Sequence, residues 1–236
     1  MNSNSQENVN DLKDTEWRRY SEPIYIDKLR FHPKHFIIPF HYKKYIESVL
    51  LPHGLIRDRI EKLAQEIHDV FQNNELHLLC LLKGSRAFFS LLLFYLNKMN
   101  IYSQVKCSKP PYMEHYVRVK SYINDTPNSD GKLSIISEDL DCLKGKDILI
   151  VEDIIDTGNT LEKFCAWLEK LNPRRVLIAS LLEKRTPKTN GIKANFAGFS
   201  VPDEFLIGFS LDYNEVFRDL DHICIMNTQA LSDFAV

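Results

Sequence analysis

Two spacings of apolar residues separate helical from extended segments along this chain. In residues 55–72, apolar side chains recur at alternating intervals of four and three positions, at Ile56, Ile60, Leu63, Ile67 and Val70. This period predicts an amphipathic helix whose apolar face packs into the core. Shorter uninterrupted apolar runs predict strands instead, because a strand buried on both faces of a parallel sheet has no polar alternation.

Strands and helices alternate through the middle of the chain. Strands are predicted at 76–82, 146–151 and 175–182, and helices at 86–98 and 161–171. This order predicts an α/β fold with a central, mainly parallel sheet flanked by helices. Right-handed crossovers would gather the carboxyl ends of the strands along one edge, where ligands bind in such folds.

The two ends of the chain depart from this alternation. Residues 1–19 are rich in Asn, Ser, Asp and Glu and predict a disordered tail, which leaves 20–236 as a single domain. Within it we expect a core over about 52–189. A small hood over the ligand-binding edge would be built from about 25–51 and 190–227.

Composition narrows the functional class. The 236 residues carry a formal net charge of −2 and their basic residues are scattered, so a nucleic-acid-binding face has little support. No Cys-x-x-Cys or Cys-His spacing indicates zinc, and no apolar stretch suits a membrane span or signal peptide. The five cysteines are predicted to be reduced thiols in the core. They are Cys80, Cys107, Cys142, Cys165 and Cys224. A cytosolic enzyme without nucleic-acid or membrane partners fits best.

The most informative segment is ILIVEDIIDTGNTL, residues 148–161. Its apolar run ends at Glu152 and Asp153, which are expected where the strand ends. Thr157 and Gly158 follow, small residues whose backbone can curl around an anion, and a helix then begins. Its free N–H groups favour a phosphate. Each N–H bond to a charged oxygen is worth roughly 1.5–3 kcal/mol, so two or three would outweigh the helix dipole at about 0.3–1 kcal/mol.

Asp156 lies between the acidic pair and this turn, an unusual place for a carboxylate. A bound phosphate would repel its charge and favour uptake of a proton, so Asp156 is a candidate for proton exchange. A simpler interpretation stays open, in which Asp156 only caps the following helix. A charged strand end is likewise the simpler interpretation of Glu152 and Asp153.

An apolar strand, two acids, two apolar residues and Asp-Thr-Gly-x-Thr together resemble the ribose-phosphate motif of type I phosphoribosyltransferases. Four more segments resemble the hypoxanthine-guanine branch of that family: LLKGSRAFF, VRVKSY, SLLEKRTPK and VPDEFLIGFSLDYNEVFRDL. The resemblance covers about residues 39–226. It implies a type I phosphoribosyltransferase-like fold with the hood described above, and a homo-oligomer, either a dimer or a tetramer.

The same resemblance implies an activity. Hypoxanthine or guanine would take the 5-phosphoribosyl group of 5-phosphoribosyl 1-pyrophosphate, giving IMP or GMP and pyrophosphate, with Mg²⁺ as cofactor. Asp156 would be the catalytic residue, as the proton acceptor or a hydrogen-bond partner at purine N7.

Binding roles follow from the matched motifs. Residues expected at the ribose and 5-phosphate are Glu152, Asp153, Asp156, Thr157, Gly158, Asn159 and Thr160. Residues expected at the pyrophosphate are Lys83, Gly84 and Arg218. Those expected to contact Mg²⁺, directly or through water, are Asp212, Glu152 and Asp153. An ordinary solvated lysine is the alternative for Lys83.

The purine is expected to contact Lys184, Phe205, Leu206 and Asp212. Hypoxanthine and guanine carry an acceptor oxygen at position 6 where adenine carries an amino donor, so Lys184 would select the oxopurines. Phe205 would stack on the ring, worth on the order of 1–3 kcal/mol, and backbone groups of Leu206 and Asp212 would read its edge. The simpler alternatives are a surface role for Lys184 and a core role for Phe205.

A mobile lid is predicted at 121–131, which is polar and turn-rich. Ser121 and Tyr122 match the family's lid positions, and an idle surface loop is the alternative. The family also has a strained peptide in the loop after the first strand, for which Lys83-Gly84 is the expected place.

Two positions depart from the commonest family pattern. Asn159 stands where some relatives are basic, and Ser85 stands where some carry glycine.

Two other functional classes stay open at this level. A regulatory or binding protein could keep this pocket while catalysing little, although the joint presence of the expected site residues argues against it. A receiver-like signalling domain could use the acids for Mg²⁺. The Thr-Gly turn and the long segment 190–227 fit that class poorly.

Overall fold

The computed structural model of the protein describes residues 18–72, 74–102, 112–121, 133–137 and 140–235. The strands in these ranges are β1 (Ile24–Tyr25), β2 (Ile46–Leu51), β3 (Leu76–Leu82), β4 (Tyr112–Ser121), β5 (Leu133–Ile136), β6 (Asp147–Ile155), β7 (Arg175–Lys184), β8 (Phe196–Val201), β9 (Leu206–Ile207) and β10 (Ile223–Met226). The α-helices are α1 (His53–Phe71), α2 (Arg86–Tyr102), α3 (Asn159–Leu168) and α4 (Thr228–Asp233).

A seven-stranded sheet forms the centre of the molecule, in the order β1-β8-β7-β6-β3-β4-β5. Its pairings are parallel, except that β5 runs antiparallel to β4. The predicted α/β class and mainly parallel sheet are therefore confirmed. The carboxyl ends of β3, β6 and β7 lie side by side along one edge.

Alternate side chains of β6 enter two separate cores, as the two-residue period of a strand requires. Leu149 and Val151 join the cluster under α1 and α2, while Ile148 and Ile150 join the cluster under α3. The strand is buried on both faces, which explains its unbroken apolar run.

The two ends of the chain meet in a second, three-stranded sheet of order β2-β10-β9. Both of its pairings are antiparallel. Phe217 and Tyr45 belong to the apolar cluster that packs on this sheet, and Phe217 is completely buried.

A histidine of this second sheet caps the first long helix. His222, just before β10, accepts a hydrogen bond at Nδ1 from the N–H of His53 at 2.9 Å. Pro52, which precedes α1, makes no side-chain cap. The cap comes from a residue 169 positions away, so helix α1 begins at His53 rather than at residue 55.

Several other boundaries differ from the sequence prediction, the most important in β6. Glu152 and Asp153 were expected at the end of this strand, but β6 continues through both to Ile155. The cause is pairing: β7 extends to Lys184, and Glu152 lies opposite Ser180 in the ladder. Helix α3 begins at Asn159 and ends in a 3-10 turn at Glu169–Leu171.

The described cysteines are free thiols in different surroundings. Cys80 and Cys224 are buried, and burial raises the pKa of each thiol to about 12. Cys142 is exposed, so the expectation of a core thiol is wrong at that position. Cys107 lies outside the described residues. Among the helices in the described ranges, none has the length and apolar character needed to cross a bilayer.

Candidate active site

A cavity of about 320 Å³ opens at the carboxyl ends of β3 and β6. Ten of the residues expected from sequence line it. They are Lys83, Gly84, Glu152, Asp153, Asp156, Thr157, Gly158, Thr160, Asp212 and Arg218. Three separate stretches of the sequence thus meet around one space.

The turn between β6 and α3 is shaped for an anion. Gly158 has a φ of 84°, and a Cβ there would collide with Asn190 Oδ1 and Ile192 Cγ2, so only glycine fits without a shift. The first bond within α3 is donated by the Glu162 N–H to the Gly158 carbonyl at 2.9 Å. The N–H groups before Glu162 have no partner within the helix, although the Asn159 N–H lies 3.5 Å from Thr157 Oγ1. Thr160, in this first turn, lines the cavity.

Asn190 holds this turn in place and was not identified from sequence. Its N–H donates to the Thr157 carbonyl at 2.9 Å, and its Nδ2 donates to Glu162 Oε2 at 2.9 Å. Its Oδ1 accepts from the N–H of Ile192 at 3.1 Å. The Thr-Asn-Gly tripeptide signals a turn, but no local pattern indicates that this turn lies against the anion loop.

The loop after β3 contacts the acidic pair Glu152 and Asp153 through a hydrogen bond to Asp153. Ser85 Oγ accepts from the Asp153 N–H at 3.0 Å, and Asp153 Oδ1 accepts from the N–H of Ile154 at 2.7 Å. Gly84 leaves room for this carboxylate, because a Cβ at residue 84 would overlap Asp153 Oδ2. Ser85 is completely buried, so its hydroxyl has a supporting role at a position where some relatives carry glycine.

Burial of the two acids favours their protonated forms. Burial is the main cause that raises the pKa of Glu152 well above its usual range, and repulsion by Asp153 adds to it. Burial also raises the pKa of Asp153. Two adjacent carboxyl groups of this kind offer hard oxygen ligands, so the donor set fits a cation such as Mg²⁺.

Two cations on the opposite wall share one carboxylate. Lys83 Nζ lies 3.0 Å from Glu215 Oε2, and Arg218 lies 3.3 Å from the same oxygen. Arg218 also contacts Asp212 Oδ1 at 2.9 Å. The bond to Lys83 is the main cause that lowers the pKa of Glu215. Glu215 was not singled out from sequence, since only the folded loop brings it to Lys83.

The non-proline cis peptide of this loop lies between Leu82 and Lys83. It was expected at Lys83-Gly84, so that placement is wrong by one bond. Gly84 is instead required by the carboxylate of Asp153.

A second cavity, of about 390 Å³, adjoins the first and shares Asp156 and Thr157 with it. Lys184 Nζ lies 2.9 Å from Asp156 Oδ2 and 3.9 Å from Asp203 Oδ1. Phe205 forms part of the wall and is 57% exposed, so it is not a core residue.

The remaining residues expected at the purine occupy different places. Leu206 is buried in β9, where it pairs with Ile225, and does not line the second cavity. Asp212 lines the first cavity. Lys188 lines the second cavity and had no role assigned from sequence.

The three charged residues at the end of β7, 183–185, do not all line the two cavities. Only Lys184 faces a cavity. Glu183 is buried on the other side, where it accepts from the Ala194 N–H at 2.8 Å, and Arg185 bonds the Ser200 carbonyl at 2.7 Å. Because β7 stays extended to Lys184, successive side chains point to opposite faces, and Glu183 lies on the face away from Lys184.

The predicted lid can be placed at its first residue only. Ser121 ends β4. Tyr122 and residues 123–131 lie outside the described residues. Val119, two residues before the end of β4, lines the first cavity, so the chain enters the predicted lid directly beside it.

This arrangement combines an anion-binding turn, two oxygen-rich acids and a cationic wall in one cavity. The adjoining cavity offers an aromatic face and a lysine, which suit a flat heterocycle with an acceptor group. Asp156 stands at the junction, within reach of a group held in either cavity.

Comparison with known proteins gives consistent findings. Residues 48–214 match the family described as phosphoribosyl transferase domain. The chain is 57% identical over 209 residues to the hypoxanthine-guanine-xanthine phosphoribosyltransferase of Plasmodium falciparum, covering 88% of this chain and 90% of that protein. It is 45% identical over 192 residues to the human hypoxanthine-guanine phosphoribosyltransferase, covering 81% and 86%.

A solved structure is similar as well. The crystal structure of the Schistosoma mansoni hypoxanthine-guanine phosphoribosyltransferase in complex with IMP superposes with a TM-score of 0.74 at 31% sequence identity. The match covers 91% of this chain and 100% of that one.

Proposed function

Because the chain belongs to the phosphoribosyltransferase family and adopts its type I fold, we propose that it is a purine-salvage hypoxanthine-guanine phosphoribosyltransferase. It transfers the 5-phosphoribosyl group of 5-phosphoribosyl 1-pyrophosphate to hypoxanthine or guanine. The products are IMP or GMP and pyrophosphate.

The observation that carries this proposal is the pair of cavities that meet at Asp156 and Thr157. A transferase must hold two substrates with their reacting atoms in contact, and adjoining cavities supply that geometry. The phosphoribosyl substrate takes the cavity of the anion turn. The purine takes the cavity of Lys184 and Phe205.

The sugar substrate is held at both of its charged ends. The 5-phosphate accepts from N–H groups of the turn at 157–160, and the ribose hydroxyls face Glu152 and Asp153. Lys83 and Arg218 take the pyrophosphate, which replaces the carboxylate of Glu215 between them. This exchange keeps both cations paired before and after binding.

Selection among purines depends on the group that the base carries at position 6. Lys184 donates to the oxygen of hypoxanthine or guanine, while the ring stacks on the exposed face of Phe205. Adenine presents an amino group there, which leaves the buried lysine opposite a second donor. A site built to hydrogen-bond one group discriminates strongly against its replacement.

Asp156 takes the proton that leaves N7 as the new glycosidic bond forms at N9. Its carboxylate accepts a hydrogen bond from Lys184 Nζ at 2.9 Å. When Lys184 turns to the purine oxygen, that pairing is exchanged for a contact with the substrate, and the Asp156 oxygen becomes available to N7. One ion pair therefore links base recognition to proton transfer.

We propose that Glu152, Asp153 and Asp212 contact Mg²⁺, directly or through water. When bound, Mg²⁺ neutralises charge on the pyrophosphate and ribose oxygens. The fit rests on the adjacent, buried carboxyl groups of Glu152 and Asp153, whose negative charges are stabilised by a cation.

The activity is tested by following nucleotide formation from 5-phosphoribosyl 1-pyrophosphate and Mg²⁺ with hypoxanthine, guanine, xanthine or adenine. We expect product with hypoxanthine and guanine and none with adenine. Absence of product with every oxopurine would contradict the proposal and favour a binding protein.

The role of Asp156 is tested by Asp156→Ala, with Asp203→Ala as the matched control. Asp203 lies in the same cavity and 3.9 Å from Lys184, but has no proposed part in proton transfer. We expect Asp156→Ala to lower kcat by about 100-fold or more and to change binding of the phosphoribosyl substrate little. An unchanged kcat for Asp156→Ala would contradict the assignment.

Three further proposals concern the whole chain. We propose that the single domain begins at residue 18 rather than 20, because the Arg18 carbonyl accepts from Asn195 Nδ2 and Arg19 donates to Glu183 Oε2. We propose a homo-oligomer, a dimer or tetramer, supported by the exposed apolar side chains of Ile37 (92%) and Phe40 (88%). The free thiols support a reducing, cytoplasmic location.

A further inference from the structure

Two histidines and a cysteine converge away from the active site, towards the amino-terminal ends of the parallel strands. His77 is the second residue of β3, and His115 lies on the neighbouring strand β4, opposite Leu79. Because His77 and Leu79 share one face of β3, both imidazoles project from the same side of the sheet. Cys142 lies in the 3-10 turn Asp141–Leu143 that precedes β6. We call these three residues the His-Cys cluster.

The donor atoms of the His-Cys cluster are already close together. His77 Nδ1 and His115 Nε2 are 2.9 Å apart, and one donor atom from each of the three residues lies within 4.8 Å of the others. Ligand atoms around a tetrahedral zinc ion lie about 3.3–3.6 Å apart, given the usual Zn–N and Zn–S distances. The two nitrogens therefore need to separate slightly and the sulfur to approach by roughly 1 Å, which the exposed side chain of Cys142 permits.

An outer carboxylate orients the buried histidine. Glu75 Oε1 lies 3.0 Å from His77 Nε2, and Lys146 Nζ lies 2.6 Å from the same oxygen. A carboxylate paired with a lysine only accepts hydrogen bonds, so His77 carries its proton on Nε2 and directs the lone pair of Nδ1 towards His115. This carboxylate-histidine arrangement is the one that fixes histidines as metal ligands.

The chemistry of the donors distinguishes this cluster from the active site. Two imidazoles and a thiolate form a borderline-soft set, which favours Zn²⁺ over Mg²⁺. His77 is only 4% exposed, whereas Cys142 is exposed, so three protein ligands would leave a fourth position open to water.

We propose that His77, His115 and Cys142 bind one Zn²⁺ ion, separate from the Mg²⁺ proposed at the active site. On binding, the Cys142 thiol releases its proton to solvent as the Zn–S bond forms. The ring of His115 gives up its Nε2 proton, takes one at Nδ1, and stays neutral. The bound ion ties β3, β4 and the turn before β6 together.

The test uses Co²⁺ as a spectroscopic substitute for Zn²⁺ in the metal-stripped, full-length protein, with excess Mg²⁺ present to occupy the carboxylates of the active site. We expect one Co²⁺ per chain with a thiolate-to-cobalt charge-transfer band and the intense visible bands of tetrahedral coordination. Zn²⁺ should displace Co²⁺ and remove both signals. Absence of the charge-transfer band would overturn the proposal.

Variants separate a metal site from a hydrogen-bonded histidine pair. Cys142→Ser should lose the charge-transfer band, whereas Cys165→Ser, at a half-buried cysteine in α3, should keep it. Glu75→Gln should weaken Zn²⁺ binding about 10- to 100-fold, because it loosens the orientation of His77. A band that persists in Cys142→Ser, or Zn²⁺ affinity unchanged in Glu75→Gln, would overturn the assignment.

Folding is monitored separately, since His77 is buried. Circular dichroism melts in the presence of chelator should give similar Tm values for Cys142→Ser and Cys165→Ser. With Zn²⁺ added, the Tm should rise for Cys165→Ser and not for Cys142→Ser. Equal rises in both variants would contradict coordination by Cys142.

Discussion

At the scale of single residues, ion pairs join charged side chains in and beside the two cavities, and we propose that the substrates replace them. The carboxylate of Glu215 forms ion pairs with Lys83 and Arg218, and the carboxylate of Asp156 forms one with the amine of Lys184. Arg218 has a second partner in Asp212 at 2.9 Å, and Lys184 has a more distant one in Asp203 at 3.9 Å. In the proposed function, substrate binding therefore exchanges one charged partner of Lys83, Arg218 or Lys184 for another.

Substitution of Glu215 tests this exchange. Glu215→Gln removes the charge that competes with pyrophosphate for Lys83 and Arg218, and the pairs are partly exposed, so each is worth about 0.2–1 kcal/mol. We expect pyrophosphate to bind about two- to fivefold more tightly. Titration calorimetry with Mg²⁺ present measures the Kd.

Glu204→Gln is the matched control for that experiment. Glu204 lines the second cavity, so its loss should leave the Kd for pyrophosphate unchanged. Weaker binding by Glu215→Gln than by the wild type would contradict the competition.

A residue-scale prediction also concerns the anion turn. At the positive φ of Gly158, a methyl group would meet Asn190 and Ile192. Gly158→Ala should therefore open the turn and raise the KM for 5-phosphoribosyl 1-pyrophosphate by about tenfold or more, from the loss of at least one N–H bond to a charged oxygen. Gly191→Ala is the control, because Gly191 also has a positive φ but has open space at its Cβ position. An equal effect of both changes on KM would show that backbone strain alone is responsible.

At the scale of elements, the apolar periods predicted the three long helices and the three central strands, and gave both limits of β3 (Leu76–Leu82) correctly. Most of the other limits differ by two or more residues at one end or both. The alternation in 55–72 identified α1, and the run before Glu152 identified β6. Their limits depend on partners elsewhere: His222 caps α1, and the ladder with β7 extends β6. Local sequence carries no record of either contact.

In the candidate site, too, contiguous motifs could be predicted from sequence and contacts between distant segments could not. The motif at 148–161 indicated the anion turn because all of its parts are contiguous. Glu215 and Asn190 could not be predicted from sequence, because only the tertiary fold brings them to the site. The His-Cys cluster was missed for the same reason, since its ligands come from three segments with no metal-binding spacing.

The cap on α1 predicts a pH dependence of stability. Burial lowers the pKa of His222 below the ordinary value of 6.5, so the unfolded chain binds a proton more readily than the folded one. Stability should therefore fall as the pH drops below about 6.5. Protonation also turns the accepting Nδ1 into a donor and adds positive charge at the start of a helix.

The measurement is the free energy of unfolding of wild type and His222→Asn from about pH 7 to about pH 5. An asparagine oxygen can still accept from the His53 N–H but does not titrate. We expect a smaller loss of stability on acidification in the variant. His35→Asn, at an exposed histidine, serves as control. Parallel pH profiles for wild type and His222→Asn would contradict this assignment.

At the scale of the whole molecule, the segment before β1 packs against strands β7 and β8 of the central sheet. Arg19 lies 3.1 Å from Glu183, whose side chain is only 6% exposed. Arg59 joins the same region by bonding the carbonyls of Glu22 and Ala197 at 2.6 and 2.8 Å. Segments distant in sequence thus secure the strand that ends at Lys184.

Removal of Arg19 should destabilise the whole domain. Arg19→Ala leaves the buried carboxylate of Glu183 without its cation, and since Arg19 is partly exposed we expect a loss of about 2–4 kcal/mol. Glu22→Ala removes an exposed acid 3.8 Å from Arg19 and should change stability by less than about 0.5 kcal/mol. Urea unfolding measures both. Equal losses would contradict a specific role for the Arg19–Glu183 pair.

The fit of the Asp153 carboxylate into the space above Gly84 has a consequence for natural variation. Gly84 lies in the turn after β3 and Asp153 lies on β6, and a side chain at position 84 would require the Asp153 carboxylate to move. Among relatives that share this loop, a side chain at position 84 should occur only together with a shorter residue at 153. The residue tolerated at position 84 should therefore depend on the residue at position 153.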